Sequence, residues 1–322
     1  MNKNLSQNDL KKIKQKRIIF FGSTYFSKQI LKFLISNSYN VILCVSKQDY
    51  KKRNKFIYSD LKKFALENKI KIYQPLKLKT SYFKNLKPDF FIICAYGKIL
   101  KNELLNLVES CINIHPSLLP KYQGAAPIQW ALLNNESISG VSLIKTNKYI
   151  DQGEIYVQNK ISILQEDDYF SFETKLIILS IAMLKKYLNL ILLNKITLKK
   201  QDLSQKSYAL KITRNEEKID FNNNTLSIYN QIRALCYIGC FAILNSVIIK
   251  FQKAKICKNI NHLNLKAKNG QIINFDSNGI HVKTQDGCLI ILILKISGKK
   301  YHSSLNYYKS HPKIINIGDY FE

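Results

Sequence analysis

Arg17-Ile-Ile-Phe-Phe-Gly22, followed by Tyr25-Phe-Ser-Lys-Gln-Ile-Leu-Lys-Phe-Leu-Ile-Ser36, decides the fold. The first run is short, apolar and stopped by glycine. In the second, Phe26, Ile30, Phe33 and Leu34 fall at helical spacing, so the pair reads as strand, turn and helix. Residues 41–45 repeat the strand signal and 58–68 the helical one, a βαβα rhythm that predicts a parallel-rich sheet with helices on its faces. Residues 90–94 and 111–114 are all-apolar runs of the kind that central strands covered on both faces require. Further strands are expected at 141–145 and 155–161.

Residues 169–193 are apolar at helical spacing without Gly or Pro, and this helix is expected to end the first domain. Residues 194–207 are polar and Lys-rich and read as a linker. Beyond them, a helix at 226–235 precedes strand-like runs at 241–251, 272–275, 280–282 and 289–296. Asn269-Gly270, Asn278-Gly279 and Asp286-Gly287 are turn signals between those runs, which together predict a small β-barrel or sandwich. The organisation read from the chain is a basic extension (1–16), an α/β domain (17–193), a linker (194–207) and a C-terminal β-barrel domain (208–322).

The 322 residues are 46% hydrophobic and 22% charged, the composition of a globular protein and not of a disordered one. Lys and Arg number 50 against 22 Asp and Glu, for a formal net charge of +28. A surplus of that size attracts polyanions. Only Arg17, Arg53, Arg214 and Arg233 are arginines, and the abundance of Lys, Asn, Ile and Tyr is also what an AT-rich genome writes at permissive positions. Charge alone therefore does not identify the partner. The seven cysteines are odd in number, contain no CxxC pair and lie mostly in apolar runs, so they read as small buried hydrophobes in a reducing compartment, with no disulfide frame and no metal. The N-terminal stretch lacks the apolar core of a signal peptide, and no run approaches membrane-spanning length; a cytoplasmic protein is expected.

Three of the six prolines fall within Cys111-Ile-Asn-Ile-His-Pro-Ser-Leu-Leu-Pro-Lys-Tyr-Gln-Gly-Ala-Ala-Pro127, so a strand runs into a stiff loop. Residues leaving the carboxyl end of a strand in an open parallel sheet line the ligand crevice. Asn113 and His115, two apart on an extended strand, share a side. Tyr149-Ile-Asp-Gln-Gly153 supplies a carboxylate, Asp151, although an aspartate two residues before glycine also suits a plain turn, and a lone histidine is often no more than a satisfied side chain. An amide, an imidazole and a carboxylate without a recognisable nucleophile elbow suggest direct group transfer between two bound substrates. Asn and His would donate to a developing oxyanion, and a nearby carboxylate would favour a charged imidazole and relay the proton of an attacking amine.

Asn113-Ile-His-Pro-Ser-Leu-Leu-Pro120, with Asp151-Gln-Gly153 downstream, resembles the folate-dependent formyltransferase superfamily. Gln123-Gly-Ala-Ala-Pro-Ile-Gln-Trp130, Ser207-Tyr-Ala-Leu-Lys-Ile-Thr-Arg-Asn-Glu-Glu-Lys-Ile-Asp-Phe221 and Gln231-Ile-Arg-Ala-Leu235 are similar to its methionyl-tRNA formyltransferase branch. The resemblance runs from about residue 17 onward. It implies a Rossmann-like formyltransferase domain followed by an OB-like barrel that helps to hold tRNA. It also implies transfer of a formyl group from 10-formyltetrahydrofolate to the amine of methionyl-initiator tRNA, with Asn113, His115 and Asp151 catalytic; a monomer is expected. Ser117, Leu118, Leu119 and Pro120 match its folate-contacting loop, and Ala95, Tyr96 and Gly97 a wall of the same pocket. In Lys47-Gln-Asp-Tyr-Lys-Lys-Arg-Asn-Lys-Phe56, residues Lys51, Lys52, Arg53 and Lys55 fall where the family meets the tRNA acceptor end, although this loop has neither Gly nor Pro. Formylation of a sugar-nucleotide or other amine, and a non-catalytic tRNA-binding relic, are the alternatives.

Overall fold

The computed structural model describes residues 5–52, 55–258, 266–310 and 314–322. The chain divides into two compact units, the first made of Met1–Pro127, Ile138–Ser162 and Glu173–Ala209, the second of Ile128–Ser137, Ile163–Phe172 and Leu210–Glu322.

In the first unit, helix α1 (Gln7–Gln15) starts at a capping box between Ser6 and Asp9, so part of the basic extension is helical. Strand β1 (Ile18–Gly22), helix α2 (Tyr25–Ser36) and strand β2 (Val41–Val45) follow. Thr24 and Ser27 form a second capping box, which sets the start of α2 with only two residues between it and the strand. A short hairpin of β3 (Tyr50–Lys52) and β4 (Lys55–Ile57) precedes α3 (Asp60–Glu67), β5 (Ile72–Tyr73), α4 (Thr80–Asn85) and β6 (Phe90–Cys94). Helix α5 (Asn102–Leu105), β7 (Ser110–His115) and β8 (Gln123–Gly124) come next; α6 (Pro127–Leu133) belongs after its first residue to the second unit, and β9 (Ile138–Lys145), β10 (Ile155–Ser162) and all but the first turn of α7 (Tyr169–Leu192) complete the first.

The main sheet has the order β10-β9-β7-β6-β1-β2-β5. β7, β6, β1, β2 and β5 are mutually parallel, and β9 and β10 are added antiparallel. Every residue of β1 and β6 is buried, as continuous apolar runs covered on both faces should be. Their aromatic side chains build the core: Phe21 lies edge-on to Phe91 and Tyr96, with ring centroids 5.1 and 5.4 Å apart, and stacks on Phe83. From β1 the chain proceeds through β2 and β5 to one side and returns to β6 and β7 on the other. The strand order therefore reverses between β1 and β6, and the crevice outside their carboxyl ends is where open α/β sheets place ligands.

The segment 194–207, read as a linker, is laid on this unit by its backbone. Lys199 and Ile155 exchange hydrogen bonds of 2.9 and 2.8 Å, and β11 (Tyr208–Ala209) pairs in parallel with β8.

The second unit contains α8 (Arg214–Glu217), α9 (Thr225–Ala234), β12 (Cys240–Leu244), β13 (Val247–Ile256), β14 (Ile272–Asp276), β15 (Gly279–Lys283), β16 (Cys288–Ile296), β17 (His302–Ser303) and α10 (Ser304–Ser310). The strands form an antiparallel sheet in the order β12-β13-β16-β15-β14, with β17 on β16. Residues 241–251, read as one run, are instead a hairpin. Asn245 and Ser246 both adopt positive φ, the signature of a two-residue turn that needs no glycine here. The segment 318–322 bonds both outer strands of this sheet: Ile243 and Glu322 exchange backbone hydrogen bonds, and Ile272 donates to Asp319 and accepts from Gly318. The barrel expected from the turn signals is thus drawn together by this segment, and Phe321 seals it against Phe221 and Phe251, with centroids 5.6 and 5.2 Å away. Arg233 of the Gln231-Ile-Arg-Ala motif is buried and donates to the carbonyls of Leu164 and Asp167, which makes it a strut within this unit. Among the described residues no helix is long and apolar enough to cross a membrane.

Replacing Phe321 with Ala removes the central ring of that cluster and should destabilise the second unit by about 3–5 kcal/mol. The urea midpoint of the transition that reports on the second unit checks this; an unchanged midpoint contradicts the role given to 318–322.

Candidate active site

β7 carries the site because two of its residues break an apolar pattern at the end where the strand meets the loop. Asn113 is half-buried and His115 buried, and β7 is held between β6 and β9 by the pairs Ile93 with Asn113 and Ser142 with His115. Asp151 is brought to the same spot by the close approach of its own loop to β9. A Cβ at Gly153 would lie 1.8 Å from the carbonyl oxygen of Lys145, so glycine is required there. Asp151 itself adopts φ 53°, a conformation aspartate tolerates better than most residues.

The Asp151 carboxylate gathers the site. Oδ1 accepts from the Asn113 amide at 3.0 Å, and Oδ2 accepts from the backbone N–H of Gly124 at 2.9 Å. The same Oδ2 lies 3.6 Å from His115 Nδ1. Gly124 belongs to the Gln123-Gly-Ala-Ala-Pro127 motif, and its φ of 124° together with a Cβ position 2.6 Å from the Ala209 carbonyl oxygen explains why the motif has glycine there. His115 Nε2 is 2.9 Å from the Tyr122 carbonyl oxygen, which can only accept, so Nε2 carries the hydrogen. The oxyanion-donor role expected of His115 is therefore not available from Nε2 in this arrangement. Nδ1, beside Asp151, is the edge left for chemistry. The Asn113 amide has two hydrogens; one is held by Asp151, which fixes the amide plane and leaves the second to be aimed at a ligand.

The loop 116–120 is pinned by residues the sequence reading passed over. Ser142, fully buried on β9, donates to the Ser117 carbonyl (2.6 Å) and accepts from the Leu119 N–H (3.1 Å). Gln158 on β10 donates to the Leu119 carbonyl and to Ser142 Oγ. Ser117 is buried and donates to the Lys121 carbonyl, Leu119 is buried, and Leu118 and Pro120 are partly exposed. Gln201 Nε2 donates to the carbonyls of Asp151 and Gly153, both at 2.7 Å, and so holds the aspartate loop from behind. A polar Ser142 inside Val141-Ser-Leu-Ile144 was a readable signal; a single glutamine in the Lys-rich segment 194–207 was not.

Ala95 and Gly97, at the carboxyl end of β6, are exposed with positive φ. The ring of Tyr96 turns away into the core beside Phe21. It is 1% exposed, its hydroxyl has no hydrogen-bond partner among the described residues, and burial pushes the pKa of that hydroxyl up to about 12. Lys51, Lys52 and Lys55 lie on the backbone of the β3–β4 hairpin; their side chains, and Arg53 entirely, lie outside the described residues.

An open α/β sheet with an amide, an imidazole and a carboxylate at its carboxyl edge, the imidazole bonded to a backbone carbonyl and not to a serine or cysteine, belongs to the class of direct group-transfer enzymes. The formyl transferase family model matches residues 16–184 and the formyl transferase C-terminal domain model residues 211–312. The chain is 36% identical over 313 residues to the methionyl-tRNA formyltransferase of Mycoplasma capricolum, covering 95% of this chain and 98% of that one. To that of Dictyoglomus thermophilum it is 39% identical over 316 residues, covering 95% of this chain and all of the other. Among solved structures, a sugar 3N-formyltransferase superposes with a TM-score of 0.65 at 25% identity, covering 88% of this chain and 99% of its own. The N-formyltransferase of Helicobacter canadensis, at 24% identity and a TM-score of 0.66 over 86% of this chain and 99% of its own, shares the fold. The chain belongs to the methionyl-tRNA formyltransferase family and is a formyl-transferring enzyme.

Replacing Gln201 with Leu frees the Asp151 loop without touching the three gathered side chains. Because displacing a catalytic group by about 1 Å can cost a hundredfold, formyl-transfer turnover should fall about ten- to hundredfold. Steady-state kinetics check this, and an unchanged kcat contradicts it.

Proposed function

We propose that the chain transfers the formyl group of 10-formyltetrahydrofolate to the free α-amine of methionyl-initiator tRNA, acting as a cytoplasmic monomer. The observation that carries this reading is the meeting of Asn113, His115 and Asp151 around one carboxylate, in a chain similar along 95% of its length to enzymes named for that reaction.

The amine attacks the formyl carbon, and the carbonyl oxygen becomes an oxyanion facing the second N–H of Asn113, with Nδ1 of His115 able to donate to it in the imidazolium form, in which both ring nitrogens carry hydrogen. The amine of an amino-acid ester has an ordinary pKa near 8, so a usable fraction is neutral at pH 7, and stabilising the oxyanion matters more than a strong base. Asp151 accepts the proton that the attacking nitrogen sheds. The intermediate collapses by breaking the bond from the formyl carbon to the folate nitrogen, which takes that proton; the products are formyl-methionyl-tRNA and tetrahydrofolate. The folate lies against Ser117, Leu118, Leu119 and Pro120 and passes the backbone of Ala95, Tyr96 and Gly97, Tyr96 contributing no ring because that ring is committed to the core. The β3–β4 hairpin, with Lys51, Lys52, Arg53 and Lys55, meets the acceptor-stem phosphates, and the net charge of +28 draws the polyanion in.

Incubating the whole chain with 10-formyltetrahydrofolate and either methionyl-tRNA or an amino-sugar nucleotide tests the reading. Mass spectrometry should find the formyl mass gain on methionine. A gain on the sugar alone, or tRNA binding without any gain, overturns it.

A further inference from the structure

In the second unit, Cys257, His281 and Cys288 bring two sulfurs and a ring nitrogen within 4.8 Å of one another, well away in sequence from the trio of the first unit. The sheet register explains the meeting. Cys288 opens β16; Cys257, just past β13, donates its backbone N–H to the Cys288 carbonyl at 3.0 Å. His281 pairs with Ile290, so Cys288, two residues earlier on the same face, is its diagonal neighbour. His281 is 5% exposed, and among the described residues neither of its ring nitrogens makes a hydrogen bond. Asp276 Oδ2 stands 3.1 Å from Nε2 without meeting hydrogen-bond geometry. A buried imidazole with unpartnered nitrogens costs desolvation that apolar packing does not return. The cluster is not sealed, because Cys257, Asp276 and His281 line a surface pocket.

We propose that Cys257, His281 and Cys288 form a zinc site whose fourth position opens to that pocket. Two thiolates and an imidazole are the donors a borderline-soft tetrahedral ion selects. Bonds of about 2.3 Å to sulfur and about 2.0 Å to nitrogen put neighbouring ligand atoms roughly 3.5 Å apart, so the observed cluster need contract by only about 1 Å. Coordination through Nδ1 leaves the Nε2 hydrogen for Asp276, the carboxylate–histidine–metal arrangement that orients a ligating ring. Binding forms two zinc–sulfur bonds and releases two thiol protons to the solvent. Two thiolates cancel the charge of the ion, which keeps the site neutral beside Lys255 and Lys258.

The test uses the whole chain, reduced, stripped by a chelator and titrated with Zn²⁺ against a chromogenic competitor, with Co²⁺ as a spectroscopic substitute. One equivalent of zinc should bind with submicromolar Kd, two protons should be released per ion, and Co²⁺ should give a thiolate-to-metal charge-transfer band. Cys257→Ser changes a half-exposed residue and should fold normally by circular dichroism while binding zinc about a hundredfold or more weakly; Cys44→Ser in the first unit should bind as the parent does. Equal zinc affinity in the parent and in Cys257→Ser, or no charge-transfer band, overturns the proposal. So does no zinc uptake by a reduced chain whose Cys257 and Cys288 pair as a disulfide on oxidation.

Discussion

The site depends on one carboxylate. Asp151 accepts from a side-chain amide on β7 and from a backbone N–H of the following loop, and presents the same oxygen to an imidazole. Hydrogen bonds to an ionised acceptor are roughly twice as strong as neutral ones, so a single charge adds substantially to what holds these three chain segments together. The cost is a backbone conformation that only a tight loop enforces, and the structure shows what enforces it. Gly153 lies against β9 where no side chain fits, and Gln201 is clamped across two carbonyls of the loop. Activity and loop geometry are therefore coupled: whatever loosens the loop moves the carboxylate, and with it the amide and the glycine N–H.

The surrounding fold places this carboxylate where a ligand can reach it. β7 lies one strand beyond β6, which together with β1 flanks the point at which the strand order reverses, so the amide and imidazole stand beside the crevice instead of over a closed face of the sheet. Ser142 and Gln158, reaching across from the antiparallel strands β9 and β10, fix the loop after His115 by its carbonyls and N–H groups. The antiparallel addition thus has a purpose that a wholly parallel sheet would not serve, since its inward polar side chains satisfy a loop backbone that would otherwise be buried without partners.

Much of this was readable from residues whose local chemistry has a single outcome. β1 and β6 are apolar at every position, which only strands covered on both faces tolerate, and Asn113 and His115 stand two apart at the end of such a strand. Where side-chain chemistry was silent, reading failed. Residues 194–207 look like a linker because their side chains are polar, yet their backbone pairs with Ile155 and Gln123. Asn245 and Ser246 turn the chain without a glycine to announce it. Tyr96 is matched with its neighbours to a pocket wall, and nothing in the sequence shows that its ring packs into the core beside Phe21. The cysteines read as uniform buried hydrophobes because sequence spacing cannot show that the sheet register brings two of them beside a buried histidine.

The most direct test of the carboxylate's role is the single-turnover rate of formyl transfer by Asp151→Asn with both substrates saturating. Asparagine keeps the size and one acceptor but lacks the charge and offers a donor where Gly124 or Asn113 needs an acceptor. The chemical step should slow by about a hundredfold or more, in the range that loss of a positioned acid–base group produces, with tRNA and folate affinities retained. A rate within about threefold of the parent would show that Asp151 is a turn residue and that the account built on it is wrong.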